Sequence, residues 1–188
     1  MGAFKPLLPF GNKTVIECCI DYLREGGIDD IVVVVGHRAD EIRAKVSNVS
    51  FAHNPDPDSE MGASIALGVS ALPETAQATL IALVDYPAVP ATVVATLIET
   101  WNRGARLVIP TWNGRGGHPV LVDLNFSAEL RNLSESGGLR ALFEAHANQV
   151  QRVPVASPFV ARDIDTWDDY RALHLEVTGR SAPERPPE

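Results

Sequence analysis

The feature that most constrains the fold is a set of short, strongly apolar runs that alternate with segments of helical periodicity. The run IVVVVG at 31–36 is β-branched and ends in glycine, and the run TLIALVD at 79–85 ends in an aspartate. Runs of this length and character are typical of strands buried on both faces of a parallel sheet. Further strands are predicted at 49–54, 106–112, 118–123 and 150–157.

Apolar residues at helical spacing fill the segments between these runs. They predict helices at 14–25, 39–46, 61–72, 90–104, 126–132, 138–147 and 166–176. This alternation predicts βαβ units and one three-layer α/β domain with a mostly parallel sheet over residues 1–175. The tail 176–188 carries proline and charge without an apolar face, so we expect it to be disordered. Ligands bind beyond the carboxyl ends of strands in such sheets, which directs attention to the residues just after each strand.

Composition excludes several classes of protein. The 188 residues are 45% hydrophobic and 21% charged, which is typical of a globular domain. The net charge of −8 argues against a partner that is nucleic acid or an anionic membrane. No apolar run reaches the roughly 18 residues that a membrane span needs, and no signal peptide is recognisable. Because Cys18 and Cys19 are adjacent and cannot link distant segments, a reducing cytoplasm is the predicted location.

Two acidic groups follow predicted strands. Asp85 ends the run at 79–85, where a carboxylate is a suitable ligand for Mg²⁺, although Asp85 could instead cap the helix that begins near Pro90. Asp163 and Asp165 follow the last strand and form the second group. Asp165 is also a candidate N-cap of the final helix, as is the threonine that follows it.

Two glycine-containing turns are further candidates for a ligand site. EMGASIALG leads into a helix, so Gly62 and Ser64 offer backbone amides and a hydroxyl group. GRGGHPVLV places Gly117, His118 and Pro119 in a turn between strands, where the alternative is a turn without a ligand. Neither a zinc-ligand spacing, a GxSxG elbow, a complete P-loop nor a GxGxxG fingerprint occurs in the chain.

The N-terminal segment MGAFKPLLPFGNKTVIE resembles the end of the signature LAAGxSxRMGxxKxLLPxxG of MobA-like nucleotidyltransferases, in particular the molybdenum cofactor cytidylyltransferase branch. VVVVGHRADEI, EMGASIALGV, LVDYPAVP, GHPVLV and DIDTWDDY follow in the order of that family, so the resemblance covers residues 1 to about 175. It implies a three-layer, Rossmann-like (GT-A-like) nucleotidyltransferase domain.

Only the MGAFKPLLPFG part of the signature is present. We therefore expect the chain to lack the family's first strand and most of its phosphate-binding loop, through either a misassigned start or a genuine truncation. The expected consequences are a gap in the sheet and weak nucleotide binding.

The resemblance also implies a reaction. A nucleoside monophosphate, CMP from CTP, passes to a phosphorylated acceptor such as molybdopterin, with release of pyrophosphate and help from Mg²⁺. Lys5 and Asp85 are the implied catalytic residues, and the metal would be held by Asp85, Asp163 and Asp165. The implied nucleotide-binding residues are Met1, Gly2, Lys5, Gly62, Ser64 and Asp85, and the acceptor side is implied at Gly117, His118 and Pro119.

Transfer of the product to a maturation partner of molybdoenzymes is part of the same expectation.

Two alternatives stay open. One is a sugar-phosphate or phospholactate nucleotidyltransferase on the same fold, and the other is a truncated, non-catalytic nucleotide-binding module.

Overall fold

A computed structural model describes residues 4–133 and 137–184 of the chain. Its helices are α1 (Val15–Glu25), α2 (Ala39–Lys45), α3 (Met61–Ser70), α4 (Ala91–Asn102), α5 (Ser127–Arg131), α6 (Gly138–Ala145) and α7 (Trp167–Thr178). Its strands are β1 (Pro9–Phe10), β2 (Lys13–Thr14), β3 (Val32–Val35), β4 (Ser50–His53), β5 (Ala78–Ile81), β6 (Leu107–Trp112), β7 (Arg115–Gly116), β8 (Val120–Asp123) and β9 (Val150–Pro154). The predicted alternation of strands and helices is confirmed.

The larger sheet is mixed rather than mostly parallel. Strand β8 lies between β5 and β6 and runs antiparallel to both, whereas β9 pairs parallel with the other edge of β6. A short connection at 113–119 joins β6 to β8 and carries β7, which pairs with the end of β6. A connection that short can join only antiparallel neighbours, because a parallel crossover needs a dozen residues or more.

The described strands do not form one continuous sheet. Strands β3 and β4 form a separate parallel pair, and within the described residues β3 has no strand on its other edge. Strand β5 ends at Ile81 instead of continuing to residue 85 as predicted. Residues 82–85 have no partner strand in the described part of the chain, and they lead into a turn closed by the Tyr86 N–H and the Leu83 carbonyl. These unpaired edges are what the predicted gap in the sheet would leave, and the gap itself stays a prediction.

Two apolar cores on opposite faces of the sheet give the predicted three layers. Leu107 and Val122 pack into a cluster with α3, α5 and α6, whereas Val108 and Leu121 pack into a cluster with α1, α2 and α4. This alternation along β6 and β8 follows from the two-residue period of a strand. Within the described residues, no helix is long and apolar enough to cross a membrane.

The N-terminal hairpin β1–β2 packs against the C-terminal helix α7. This helix continues to Thr178, three residues into the segment predicted to be a disordered tail. The Gly179 N–H closes the helix on the Leu175 carbonyl, and Ala182 packs near the hairpin. Helix α7 thus extends past the predicted domain end at 175, and disorder in the rest of the tail stays a prediction.

Candidate active site

Three carboxylates meet beyond the end of β5. Asp85, Asp163 and Asp165 each place one carboxylate oxygen within 4.8 Å of the other two. Asp85 lies in the loop that precedes α4, whereas Asp163 and Asp165 lie in the loop that precedes α7. A main-chain hydrogen bond joins the two loops, since the Ile164 N–H donates to the Asp85 carbonyl at 3.0 Å. The acidic cluster is thus built from segments about 80 residues apart in sequence.

Asp85 is the most enclosed of the three carboxylates. Its Oδ1 is buried and has no hydrogen-bond partner within the described residues. Burial raises the pKa of Asp85, the charges of Asp163 and Asp165 add to that rise, and the Lys5 ammonium opposes it. A buried carboxylate oxygen without a donor, beside two further carboxylates, is a donor set suited to a hard divalent cation.

Lys5 completes the cluster. It lies in a 3-10 turn (Lys5–Leu7), and its Nζ donates to Asp165 Oδ1 at 3.0 Å. The hydrogen bond and charge of Lys5 lower the pKa of Asp165. The Lys5 side chain is 27% exposed and that of Asp165 67%, so the pair is open to solvent and easily rearranged.

The alternative roles of these aspartates in helix capping are not observed. Pro90, not Asp85, occupies the N-cap of α4. Thr166 caps α7 through a capping box in which its hydroxyl accepts from the Asp169 N–H and the Asp169 carboxylate accepts from the Thr166 N–H. Asp165 is consequently left to pair with Lys5.

Two packed aromatic side chains, Tyr86 and His118, lie beside the acidic cluster. The Tyr86 and His118 rings pack with centroids 5.2 Å apart and a 47° tilt. Burial, helped by the neighbouring carboxylates, raises the pKa of Tyr86 to about 12, whereas Arg115 acts in the opposite direction. Burial lowers the pKa of His118 despite the opposing effects of the Ile81 backbone, Asp85 and Asp163, which keeps the imidazole neutral at pH 7. Tyr86 was not among the predicted site residues, although its position directly after Asp85 was a usable signal.

The turn at Gly117–Pro119 is held against the segment that leads to Asp163. The His118 N–H donates to the Val160 carbonyl at 2.8 Å. A Cβ atom at position 117 would lie only 1.8 Å from that same carbonyl oxygen. Glycine is therefore required at position 117, because only a residue without a Cβ atom allows this close backbone approach. The contact also helps to position the acidic loop, which follows Val160 and carries Asp163 and Asp165.

Replacing Gly117 with alanine is expected to lower the free energy of unfolding by about 1–3 kcal/mol, because the added methyl group must displace backbone. Thermal or urea denaturation measures the effect. The control is Gly68→Ala in α3, where a methyl group meets only the end of the Val34 side chain at 3.1 Å. Equal stability of the Gly117 variant and the wild type would contradict the close approach.

The structure places Gly62 and Ser64 at the start of α3, with Gly62 buried. The Ser64 hydroxyl accepts a hydrogen bond from Asn54 Nδ2 at 3.0 Å, and the Asn54 N–H donates to the carbonyl of Val35 at the end of β3. Ser64 thus lies near the carboxyl end of β3, and no hydrogen bond joins it to the acidic cluster within the described residues. Met1 and Gly2 lie outside the described residues.

Neither cysteine is suited to nucleophilic chemistry. Cys18 and Cys19 are both free thiols on α1. Burial raises the pKa of Cys18 to about 11, and it raises that of the fully enclosed Cys19 further. Both groups are therefore protonated at neutral pH, so a thiolate nucleophile has no support here.

Residues 1–150 match the MobA-like NTP transferase domain family, which is most of the chain. The chain belongs to the MobA-like NTP transferase family. The enzymatic class of this family is nucleotidyl transfer, in agreement with the resemblance found in the sequence. The matched range includes Lys5, Asp85 and the Gly117–Pro119 turn, whereas Asp163 and Asp165 lie beyond it.

Two relatives span nearly the whole chain. The nicotine blue oxidoreductase of Paenarthrobacter nicotinovorans is 28% identical over 180 residues, covering 90% of this chain and 87% of that protein. The molybdenum cofactor cytidylyltransferase of Escherichia coli K12 is 24% identical over 176 residues, covering 90% of this chain and 86% of that protein.

Solved structures share the fold. The crystal structure of Rv0371c from Mycobacterium tuberculosis H37Rv superimposes with a TM-score of 0.83 at 25% identity, covering 92% of this chain and 89% of that one. A structure of Rv0371c in complex with manganese gives a TM-score of 0.72 at 23% identity, with 92% of each chain covered. This nucleotidyltransferase is therefore an α/β protein of the same architecture.

Proposed function

We propose that this nucleotidyltransferase moves CMP from CTP to a phosphorylated acceptor of the molybdopterin type, with release of pyrophosphate. The observation that carries the proposal is the convergence of three carboxylates and one lysine beyond β5. The choice of CTP and of molybdopterin is supported by the Lys-Pro-Leu-Leu-Pro form of the N-terminal segment and by similarity to the E. coli cytidylyltransferase.

In the proposed reaction, an oxygen of the acceptor phosphate attacks the α-phosphorus of the nucleotide. The bond from the α-phosphorus to the oxygen bridging to the β-phosphorus breaks, and pyrophosphate leaves with that oxygen. No covalent enzyme intermediate is needed, so the protein contributes alignment and charge neutralisation. Arg115, Tyr86 and the Gly117–Pro119 turn lie on the side proposed to face the acceptor, and Gly62 and Ser64 on the side proposed to face the base and ribose.

The acidic cluster fits Mg²⁺, with Asp85 as the principal ligand and Asp163 and Asp165 as the further carboxylates. The bound ion would supply charge neutralisation and alignment of the phosphates. Because burial raises the pKa of Asp85, protons compete with the cation at a higher pH than at an exposed carboxylate. The manganese complex of Rv0371c is consistent with a divalent cation in this fold.

Lys5 is proposed to change partners during binding. A cation that takes Asp165 as a ligand weakens the Lys5–Asp165 pair and leaves the ammonium to neutralise nucleotide phosphates. Breaking the Lys5–Asp165 pair costs little free energy, because the pair is exposed and screened by solvent.

The experiment that tests the function is a pyrophosphate-release assay with molybdopterin and each of CTP, GTP and ATP, in the presence of Mg²⁺. Release that depends on molybdopterin and is fastest with CTP supports the proposal. Release only with a sugar 1-phosphate or phospholactate would favour the first alternative, and nucleotide binding without turnover would favour the non-catalytic module. A parallel redox assay with nicotine blue tests whether this chain shares the oxidoreductase activity named for the P. nicotinovorans relative.

A further inference from the structure

A small apolar core lies between the N-terminal segment that carries Lys5 and the loop that carries Asp163 and Asp165. Lys5 is followed by two core residues of the hairpin region, and Ile164 lies between Asp163 and Asp165. The buried members of this core come from the N-terminal segment, the acidic loop and α7, and they are Leu8, Phe10, Val15, Ile164, Tyr170 and Leu173. Helix α7 contributes Tyr170 and Leu173 to this core and directly follows the loop that carries Asp163 and Asp165.

Two buried side chains of α7 hydrogen-bond the hairpin backbone. The Tyr170 hydroxyl, which is fully buried, donates to the Pro9 carbonyl. One turn further along α7, His174 is 4% exposed, and its Nε2 accepts from the Gly11 N–H at 3.3 Å. The Phe10 ring packs edge-on against His174, with centroids 5.5 Å apart.

The partners of His174 determine its tautomer. Its Nδ1 lies 2.9 Å from the Arg180 carbonyl oxygen, which can only accept, so Nδ1 carries the proton. Its Nε2 faces an N–H donor and must therefore be the unprotonated nitrogen. His174 is a two-sided connector that accepts from the hairpin and donates to the chain beyond α7.

Main-chain hydrogen bonds connect the hairpin to Lys5. The Leu8 N–H donates to the Lys5 carbonyl at 3.1 Å, and the Val15 N–H donates to the Leu8 carbonyl at 2.9 Å. These bonds make the turn at Lys5–Leu7 and the hairpin one short, closed unit. A displacement of Pro9 or Gly11 would therefore be passed on to the main chain of Lys5.

We propose that Tyr170 and His174 are positioning residues for Lys5, acting through the backbone of Pro9 and Gly11. Helix α7 holds the hairpin from one side while the loop before α7 presents Asp165 to the Lys5 ammonium. We call the hydrogen bonds of Tyr170 and His174 to the hairpin backbone the clamp. Its effect on nucleotide binding rests on the proposed function, whereas its effect on the position of the hairpin does not.

Two substitutions of His174 separate its two hydrogen bonds. His174→Asn keeps an amide donor near the position of Nδ1 but loses the acceptor for Gly11. His174→Gln can place its amide oxygen near the position of Nε2 and keep that acceptor. Tyr170→Phe removes only the hydroxyl group that donates to the Pro9 carbonyl and keeps the ring in the core. This variant still tests the proposal if His174→Asn fails to fold. His146→Gln is the control, because His146 instead pairs with Glu129 on α5.

Amide hydrogen exchange at Gly11 and Leu8, and the dissociation constant for CTP with Mg²⁺ by calorimetry, are the readouts. We expect His174→Asn and Tyr170→Phe to accelerate Leu8 exchange and to weaken CTP binding by about three- to tenfold, the effect of one lost hydrogen bond. His174→Asn should also accelerate Gly11 exchange, and His174→Gln and His146→Gln should resemble the wild type. The ¹⁵N shifts of wild-type His174 should identify Nε2 as the unprotonated nitrogen.

A lower melting temperature without faster Leu8 exchange would reduce these residues to structural support and overturn the proposal. Unchanged CTP affinity alongside faster Leu8 exchange would overturn the claim that the clamp positions Lys5 for the nucleotide. Absence of CTP binding by the wild type would overturn the proposed function instead. The Leu8 exchange rates of the variants would still show whether Tyr170 and His174 hold the hairpin in place.

Discussion

Replacing Asp85 with asparagine is expected to reduce metal-dependent nucleotidyl transfer by about a hundredfold or more. The substitution removes the charge of the most enclosed carboxylate and leaves its shape nearly unchanged. The melting temperature should stay equal or rise, because burial already disfavours the charged form of Asp85. Pyrophosphate release with CTP, molybdopterin and Mg²⁺ measures the loss, and thermal denaturation measures the stability.

Asp21→Asn is the matched control, since Asp21 pairs with Lys13 on the surface of α1 and should leave transfer unchanged. Metal-dependent transfer retained by the Asp85 variant would remove Asp85 from the mechanism. A sharp fall in its melting temperature would instead mean that Asp85 supports the loop before α4 rather than a bound cation.

Replacing Lys5 with methionine is expected to have two opposite effects. Transfer and CTP affinity should fall, transfer by about a hundredfold, because the ammonium no longer neutralises phosphate charge. Binding of a divalent cation without nucleotide should become tighter, since Asp165 no longer pairs with Lys5. Calorimetric titrations with Mn²⁺ and with CTP, together with the pyrophosphate assay, measure the two effects.

Lys13→Met serves as the control, because Lys13 is also a lysine in an exposed ion pair but contacts Asp21, away from the acidic cluster. It should change neither cation nor nucleotide binding. Unaltered Mn²⁺ affinity in the Lys5 variant would contradict the exchange of partners, and unaltered CTP affinity would contradict the role of Lys5 at the phosphates.

Much of the fold could be predicted from local pattern. The β-branched run at 31–36 and the helical spacing at 14–25 led to β3 and α1 within a residue or two at each end. The strand β8 was predicted but its antiparallel direction was missed, because apolar runs do not reveal strand direction. That direction follows here from the short connection after β6. The shortened β5 was missed because residues 82–85 are as apolar as a strand but lack a pairing partner in the described chain.

The candidate site could be predicted only in part. Asp85 and the pair Asp163 and Asp165 stand out because carboxylates that follow strands point to one edge of an α/β sheet. The Lys5–Asp165 pair joins positions 160 residues apart. No local pattern indicates that contact, and the same holds for the contacts of Tyr170 and His174 with the hairpin. These interactions depend on how α7 packs, which is a property of the whole fold.

A cation site at Asp85 can be tested by an electron paramagnetic resonance titration of Mn²⁺ in the presence of CTP, with the wild type and Asp85→Asn side by side. Mn²⁺ is a spectroscopic substitute for Mg²⁺ at oxygen-rich sites. We expect one Mn²⁺ bound per wild-type chain with CTP, displaced by excess Mg²⁺, and no binding beyond that of CTP alone in the variant. Equal Mn²⁺ binding by the two proteins would contradict a cation site at Asp85, and with it the proposed catalytic centre.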